Sequence, residues 1–346
     1  MVCIAAFIVL LGLSVFSAKF REPLKKAWSC VGRRMTLRKC DSNFKDEVKH
    51  GMLKKVVIKH PKWVKPISVA IEIGAVLIIV TTVWSVLVLV KSGLTLYVHG
   101  TCSISSPSAC VLDPSQACTI DRETVSFWRS PIGYTANWFS NFGEVIMAVP
   151  IRFKDWDARE YIPSDATYYR EFDESKPAML VVLDPGCHAC KESYLNIRQS
   201  DLVRTHNIAF ISHPIRYGDG YAFRNSELIT RYLQAVRSAG LENDGRPTDW
   251  QMISRLFTDR DDRGVPYQTA FNASYSETQA ERVLQEWLAD FGFDSDQIAE
   301  IVELAGSSRV RSQINANRRV VENEIKATRI PIFIFDGRRH DGLLRP

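Results

Sequence analysis

Two cysteines separated by two residues are the side chains best placed to do chemistry in this chain. Cys187 and Cys190 belong to the run CHACK, which follows an apolar run at 178–183 and the turn residues Asp-Pro-Gly. This order predicts a strand, a turn and the start of a helix. The first sulfur would then lie at a helix N-terminus, where the helix dipole and free N–H groups favour a thiolate, and the second would lie within disulfide reach. The spacing therefore predicts a reversible dithiol in which Cys187 is the exposed thiol and Cys190 is turned inward and buried.

A CxxC motif also occurs in zinc sites and at haem attachment points. Zinc would need a second pair of ligands, and the sequence has no other CxxC and no close His/Cys pair. Haem attachment would need histidine at position 191, which is Lys191. We therefore expect no metal and no cofactor, the redox group being a Cys187–Cys190 disulfide.

Three features in combination resemble the thioredoxin superfamily, and more closely its DsbA-like branch of extracytoplasmic thiol:disulfide oxidoreductases. They are the apolar strand leading into CHAC, a long helical insertion after the next strand, and the run RIPIFIFDG at 329–337. The resemblance covers about residues 160–346. It implies an α/β thioredoxin-like fold in a domain spanning 155–346, with an inserted helical domain at about 225–327.

The resemblance also assigns roles. In that family an apolar residue and a cis-proline open a strand that faces the CxxC motif, and Ile330-Pro331 matches this pair. Cis costs least at X-Pro bonds, and proline is tolerated at the first position of a strand; an ordinary trans proline is the alternative. Cys187 would attack or be attacked, Cys190 would resolve the mixed disulfide, and Ile330 and Pro331 would present backbone to the bound peptide.

Two departures from the family pattern concern the chemistry. The family usually carries a buried acidic residue six positions before the first cysteine, able to relay a proton to the second, and that position is Val181 here. Either Asp184 on the turn or a water takes this role, or proton transfer is slower. The strongly oxidising members place histidine just before the second cysteine, whereas here His188 directly follows the first. His188 can still donate to the Cys187 thiolate or repel a proton from it, and a solvent-exposed histidine without such an effect is the alternative.

The segment between the two motifs has a helical pattern. A strand is predicted at 208–213, and capping boxes are predicted at Thr248 with Gln251 and at Ser276 with Gln279. Five helices are predicted, at 225–239, 248–258, 277–291, 296–305 and 308–327.

The first 91 residues have the composition of a membrane anchor. They hold 16 Lys+Arg against 5 Asp+Glu, whereas residues 92–346 hold 28 against 34, which excludes a basic nucleic-acid binder. Apolar runs at 2–18 and 67–90 predict two transmembrane helices, and the loop at 19–66 carries 15 Lys+Arg against 4 acids. Such a loop stays cytoplasmic. A cleaved signal peptide is disfavoured, because the positive residues follow the first run instead of preceding it.

The region at 92–154 is predicted to be an extracytoplasmic linker. Cys102, Cys110 and Cys118 are spaced eight apart in a loop-like stretch, so any pair could form a structural disulfide, leaving a free thiol or a partner elsewhere. An aromatic stretch at 127–142 either lies at the membrane surface or packs against the soluble domain. The run at 145–153 is strand-like.

Two classes of function are consistent with this pattern. The first is a membrane-tethered enzyme, multi-pass in the cell membrane with its catalytic domain outside or in the periplasm. It would exchange disulfides with exported proteins through the CHAC dithiol, and a membrane redox partner would recycle it. The second is a non-catalytic thioredoxin-like scaffold of a membrane complex, in which the CxxC is a structural disulfide. We favour the enzyme, because a structural disulfide needs neither a helix N-terminus nor a facing proline.

Overall fold

A computed structural model of the chain describes residues 64–99, 118–119 and 126–344, together with isolated residues between 7 and 29. Most of the predicted span at 2–18, most of the basic loop at 19–66, and both Cys102 and Cys110 lie outside the described residues. The chain divides into two compact units, Met1–Lys91 and Ser92–Pro346.

A long apolar helix, α1, covers Val64–His99. It includes the span predicted at 67–90 and continues nine residues beyond it. Its stretch Ile73–His99, 27 residues, is long and apolar enough to cross a membrane, and the described part of the chain has one such helix. Large apolar side chains such as Leu77 and Leu89 are exposed along it.

The region predicted as a linker contains a short strand, β1 (Cys118–Thr119), and a helix, α2 (Pro131–Ala148). The Ser130 hydroxyl accepts a hydrogen bond from the Gly133 N–H and caps α2. The strand expected at 145–153 is wrong. Val145 and Ala148 are buried three residues apart on one face of α2, and a 3-10 helix, Val149–Phe153, follows. A short apolar run does not distinguish a strand from a helix face.

A four-stranded sheet forms the centre of the second unit. Its strands are β2 (Ala178–Leu183), β3 (Asn207–Ser212), β9 (Ile332–Phe335) and β10 (Arg338–Asp341), in the order β10-β9-β2-β3. β2 and β3 are parallel, and the other two pairs are antiparallel. This order and these directions are those of a thioredoxin-like α/β fold, as predicted. β2 has the predicted bounds, and β3 starts and ends one residue earlier than predicted.

The central strands are buried on both faces, which explains their continuous apolar sequence. All of β3 and all of β2 after Ala178 are buried. Helix α3 (His188–Gln199) follows β2, and a short helix α4 (Leu202–Thr205) leads into β3. The turn Asp184-Pro185-Gly186 thus connects a buried strand to a helix start, which is the predicted arrangement.

A helical insertion separates β3 from the last strands. Two hairpins, β4–β5 and β6–β7, accompany it, and a two-residue strand, β8 (Arg329–Ile330), ends it. The hairpin strands are β4 (Arg216–Tyr217), β5 (Gly220–Tyr221), β6 (Glu242–Asn243) and β7 (Arg246–Pro247). The helices are α5 (Ser226–Ser238), α6 (Thr248–Thr258), α7 (Tyr267–Thr269), α8 (Glu277–Asp290), α9 (Ser295–Gly306) and α10 (Ser308–Arg319).

The five predicted helices are present within about two residues, except that the last becomes a π-helix, Val320–Glu324, after α10. The capping box at Ser276 and Gln279 is confirmed. The one at Thr248 is wrong. Pro247 is the N-cap of α6, and the Gln251 amide donates to the Asn243 and Arg246 carbonyl groups instead. The hairpin β6–β7 brings those carbonyls within reach, which local sequence does not show.

A buried ion pair fixes α5 against α6. The Arg237 guanidinium lies 2.9 Å from Asp249 Oδ2, and their side chains are 2% and 0% exposed. The Thr167 hydroxyl donates to the same carboxylate, and Arg237 also donates to the Phe210 carbonyl of β3. The insertion is therefore anchored directly to the central sheet.

Candidate active site

Cys187 is the N-cap residue of α3, directly after the turn that leaves β2. Its carbonyl accepts the Lys191 N–H at 3.2 Å, so the helix starts at His188 and its first N–H groups open toward the cysteine. This is the predicted position for a sulfur whose thiolate the helix dipole would stabilise. The Cys187 side chain is 0% exposed, whereas the sequence predicts an exposed thiol.

A disulfide with Cys118 accounts for this burial. Cys118 and Cys187 are bonded with a Cα–Cα distance of 6.1 Å and are 69 residues apart in sequence. The structure thus differs from the expected Cys187–Cys190 bond and from any pairing of Cys118 with Cys102 or Cys110. Cys118 therefore has a disulfide partner outside the linker, which is one of the predicted alternatives. The cause is tertiary, because β1 pairs with β8 beside the CxxC motif.

Cys190 is the free cysteine of the motif, 2% exposed on the inner face of α3. The buried position is as predicted for the second cysteine. Its sulfur accepts a hydrogen bond from the Asp184 N–H at 3.3 Å. Burial raises the pKa of the Cys190 thiol well above its ordinary value, and the nearby Asp184 charge raises it further, against the lowering effect of that hydrogen bond. Cys190 is therefore protonated at neutral pH and needs a base before it can attack.

Asp184 is a completely buried carboxyl at the end of β2. One oxygen accepts the Gly186 N–H at 2.7 Å and the Ser226 hydroxyl, and the other accepts the Ile215 N–H at 2.7 Å. Burial raises its pKa to about 6, against the lowering effect of these hydrogen bonds. A carboxyl that titrates near neutral pH can take up and return a proton.

A small apolar cavity adjoins Cys190. Its volume is about 10 Å³, and it is lined by Val181, Leu183 and Ile208 among others. Such a volume is at the lower limit for one water, and a water also needs polar partners. Of the predicted alternatives for the proton relay, this geometry favours Asp184 over a water on the Val181 side.

The Ile330–Pro331 peptide bond is cis, as the resemblance implies. Ile330 ends β8 and is buried, and Pro331 links β8 to β9 in the central sheet. The Ile330 carbonyl oxygen lies 3.9 Å from Cys187 Sγ. Ile330, next to the cis-proline, therefore faces the Cys187 sulfur.

His188 is the first residue of α3, and its side chain is exposed. Its Nε2 lies 3.8 Å from Glu192 Oε1 one turn further along the helix. Among the described residues no hydrogen bond joins His188 to Cys187. This placement favours the alternative in which His188 is a solvent-exposed histidine.

The helical insertion supplies residues that sequence analysis did not identify. The Gln268 amide donates to the carbonyls of Pro185 and Cys187 at 2.9 and 3.0 Å. The Asn272 amide donates to the Gly186 carbonyl at 2.8 Å. Asn272 belongs to a π-helical turn, Ala270–Ser274, and such turns are frequent at functional sites. The carbonyls of Pro185, Gly186 and Cys187 are thus all hydrogen-bonded to one short segment of the insertion.

No periodicity or motif identifies Gln268 and Asn272 in the sequence. The glycine at position 186 is a weak sequence signal of this close packing. A Cβ there would collide with the Phe223 side chain and lie 2.9 Å from Asn272 Oδ1.

Within the part of the chain that the structure describes, no group of three His, Cys, Asp or Glu side chains could hold a metal ion.

Comparison with family models and with curated proteins gave no match. Solved structures gave matches of low identity. The thiol-disulfide exchange protein alpha-DsbA2 from Wolbachia pipientis is 16% identical, covers 54% of this chain and 84% of its own, and has a TM-score of 0.37. MdbA, a thiol-disulfide oxidoreductase from Corynebacterium diphtheriae, is 15% identical, with 51% and 83% covered and a TM-score of 0.39. The cytosolic disulfide reductase DsbM from Pseudomonas aeruginosa is 17% identical, with 47% and 87% covered and a TM-score of 0.33. At these identities and TM-scores, function has to be inferred from the atoms of the site.

Proposed function

We propose that this chain is a membrane-tethered thiol:disulfide oxidoreductase that exchanges disulfides with exported proteins through Cys187 and Cys190. The observation that carries this proposal is the placement of Cys187. It lies at the N-terminus of α3, faces the Ile330 carbonyl next to a cis-proline, and already forms a disulfide with a cysteine on a neighbouring strand. A sulfur in this position can be reached by a peptide that pairs with β8.

The reaction follows from the two cysteine environments. The Cys187 thiolate, stabilised by the N-terminus of α3, attacks a substrate disulfide or is attacked as a disulfide by a substrate thiol. In the first direction, Cys190 loses its proton to the Asp184 carboxylate and displaces the substrate sulfur from Cys187. In the second direction, the attack releases Cys190 as a thiolate that takes up a proton, and a second substrate thiol then displaces the Cys187 sulfur. Ile330 and Pro331 hold the peptide backbone during the exchange. A membrane redox partner would restore the starting oxidation state.

Membrane tethering is supported by α1. A run of 27 residues exceeds the roughly 20 needed to cross a hydrocarbon core, and its exposed apolar side chains would be covered by lipid. With the basic loop before α1 in the cytoplasm, the dithiol domain would face outward, where disulfides persist.

Trapping of substrates tests this function. Because Cys118 is disulfide-bonded to Cys187, the trapping protein is the double variant Cys118→Ser with Cys190→Ser. It is expressed as the full chain in cells. It should accumulate mixed disulfides with exported proteins, seen as adducts on non-reducing gels that disappear with dithiothreitol, since the resolving thiol is missing. The matched control, Cys118→Ser with Cys187→Ser, should form almost none. A folded and expressed trap without reducible adducts would refute the proposal.

A scaffold function is the second candidate, because Cys187 is bonded to a residue 69 positions away. A purely structural bridge is symmetric in its two ends. It predicts that Cys118→Ser and Cys187→Ser lose the same stability, about 2–5 kcal/mol, and that neither variant changes thiol exchange.

A further inference from the structure

The segment bonded to Cys187 lies where a peptide substrate would bind. β1 pairs antiparallel with β8, with Cys118 opposite Ile330 and Thr119 opposite Arg329. β8 leads through Pro331 into β9 of the central sheet, and β1 and β8 form a two-stranded sheet of their own. Addition of an extended strand to a sheet edge is a common mode of peptide recognition, with main-chain hydrogen bonds providing affinity.

Cys118 in this strand also takes the place of a substrate cysteine. Cys118 is partly buried against the hydrophobic core, and its sulfur is bonded to Cys187. Cys187 is consequently inaccessible, while Cys190 remains a free thiol in the same motif. A docked strand, a bonded first cysteine and a free second cysteine are together the arrangement of a mixed-disulfide intermediate, formed here within one chain.

We propose that residues 118–119 are a tethered substrate mimic, and that Cys118 is a third redox-active cysteine that closes the site on Cys187 and is released when Cys190 displaces it. This inference rests on the proposed function of the Cys187/Cys190 pair. It adds that the enzyme closes its own site, and that a substrate must compete with its β1 strand for both β8 and Cys187.

The opening step needs no external oxidant or reductant. The Cys190 thiol gives its proton to a base, and Asp184 is the buried acid adjacent to it. The Cys190 thiolate attacks Cys187 Sγ, a Cys187–Cys190 bond forms, and the Cys118–Cys187 bond breaks. The electron pair leaves on Cys118 Sγ, which takes up a proton. One disulfide is present before and after the step, so the reaction is an isomerisation.

Disulfide mapping on the full chain in membranes tests the closed form. Free thiols are blocked with N-ethylmaleimide after acid quenching, and the protein is cleaved before aspartates. Cleavage before Asp113 and Asp121 isolates Cys118 from the other linker cysteines, in residues 113–120. Cleavage before Asp184 and Asp201 gives residues 184–200, which hold both motif cysteines.

We expect the linked pair of 113–120 and 184–200 in the wild type, together with the open form. The linked fraction should rise several-fold in Cys190→Ser, because the resolving thiol is missing, and should fall to background in Cys187→Ser. The matched control replaces Cys102 and Cys110 with serine and should leave the linked fraction unchanged. Absence of the linked pair in folded Cys190→Ser would overturn the inference.

Exchange kinetics test whether the closed form protects the site. The probe is reduced glutathione at 0.1 mM, with loss of the Cys187 disulfide followed by alkylation. A tethered thiol acts at an effective concentration of about 1 mM, so Cys118→Ser should react on the order of 10-fold faster than the wild type. The control with Cys102 and Cys110 replaced should react at the wild-type rate. Equal rates for Cys118→Ser and the wild type would overturn the inference.

The two proposals fail in different ways. If Cys118→Ser forms no Cys187–Cys190 disulfide and does not exchange with glutathione, the proposed dithiol function is wrong. If Cys118→Ser forms that disulfide and exchanges, but shows no rate increase, only the role of Cys118 is wrong. A linked pair that persists in the wild type without any open form would identify a structural bridge and overturn the inference.

Discussion

Two buried ionisable side chains near the dithiol should give the domain opposing pH dependences that cancel in the wild type. Asp184 follows β2, and His213 follows β3, its N–H donating to the Leu183 carbonyl at 2.8 Å. Burial raises the pKa of Asp184 to about 6 from an ordinary value of 3.8. Burial, with the positive charges of Arg318 and Arg216, lowers the pKa of His213 to about 4 from 6.5.

Glu322 also faces His213, with Oε1 at 3.7 Å from Nε2, and its charge acts in the opposite direction to the two arginines. The Glu322 side chain is 40% exposed, so solvent screens it, whereas the imidazole is almost completely buried. The lowered pKa of His213 therefore follows mainly from desolvation, which keeps the imidazole neutral at pH 7.

The signs follow from which state binds the proton. Between pH 3.8 and about 6 the folded protein holds a proton on Asp184 that the unfolded chain has released, so stability falls as pH rises. Between about pH 4 and 6.5 the unfolded chain holds a proton on His213 that the folded protein excludes, so stability falls as pH falls. At 1.36 kcal/mol per pH unit, each effect amounts to about 3 kcal/mol across its window.

Single substitutions should expose each slope. Asp184→Asn removes the Asp184 effect, so its free energy of unfolding, relative to the wild type, should fall by about 3 kcal/mol as pH falls from about 6 to 3.8. His213→Gln removes the His213 effect, so its relative free energy of unfolding should fall by about 3 kcal/mol as pH rises from about 4 to 6.5. Asp184→Asn also places an amide group among N–H donors, a cost of about 1–3 kcal/mol. That cost changes the level of the curve and not its slope.

Hydrogen–deuterium exchange of the β2 and β3 amides measures these changes in the full chain in detergent micelles. The slowest amides report global opening once the pH dependence of intrinsic exchange is corrected for. Titrating groups common to all variants cancel in the comparison with the wild type, and the double variant should restore a nearly flat profile. Parallel pH profiles for the wild type and both single variants would refute the assigned pKa shifts.

Three further predictions concern packing, the buried ion pair and topology. Gly186→Ala should destabilise the domain by about 1–3 kcal/mol and slow thiol exchange, because the new methyl group collides with Phe223. The control Gly143→Ala, with nothing within 4 Å of the new methyl group, should be neutral or stabilising when unfolding is measured. Arg237→Met should lower the free energy of unfolding by about 3–5 kcal/mol, because it leaves Asp249 buried and unpaired. The control Arg204→Met removes a pair whose side chains are 70% and 77% exposed and should cost under about 1 kcal/mol. Equal costs would contradict the burial argument. Maleimide labelling of intact cells should spare Cys30 and Cys40 and reach sites after residue 92, and labelling of Cys30 from outside would reverse the assigned orientation.

The elements that carry the dithiol could be predicted because their signals are local. A continuous apolar run marks β2, and Asp-Pro-Gly marks the turn, with Pro185 at the second position and Gly186 at the third. The helices of the insertion have apolar periodicity, and three of them begin with a side chain that caps the first turn, at Ser276, Asp294 and Ser307. Such patterns fix an element's type and approximate bounds without tertiary information.

The partner of Cys187 could not be predicted, because it depends on chain segments that approach only in the folded domain. Spacing suggests local pairs among Cys102, Cys110 and Cys118, whereas the observed bond requires β1 to pair with β8, more than 200 residues later in the chain. The chemistry of Asp184 has the same limitation. Its position on a turn suggests a solvated carboxylate, and only the packing of Ser226 and Ile215 makes it buried and raises its pKa.

The hydrogen bonding of the turn at 185–187 indicates which part of the site is free to change during catalysis. Gln268 and Asn272 hold its carbonyls, and the Asp184 carboxylate holds the Gly186 N–H, so moving the turn would break several buried hydrogen bonds at about 1–3 kcal/mol each. The strand paired with β8 is held by two residue positions and one disulfide. Exchange is therefore expected to move the strand, and not the turn, past a stationary Cys187. Selectivity among substrates would then depend on how well each peptide pairs with Arg329 and Ile330 before its cysteine reaches the sulfur.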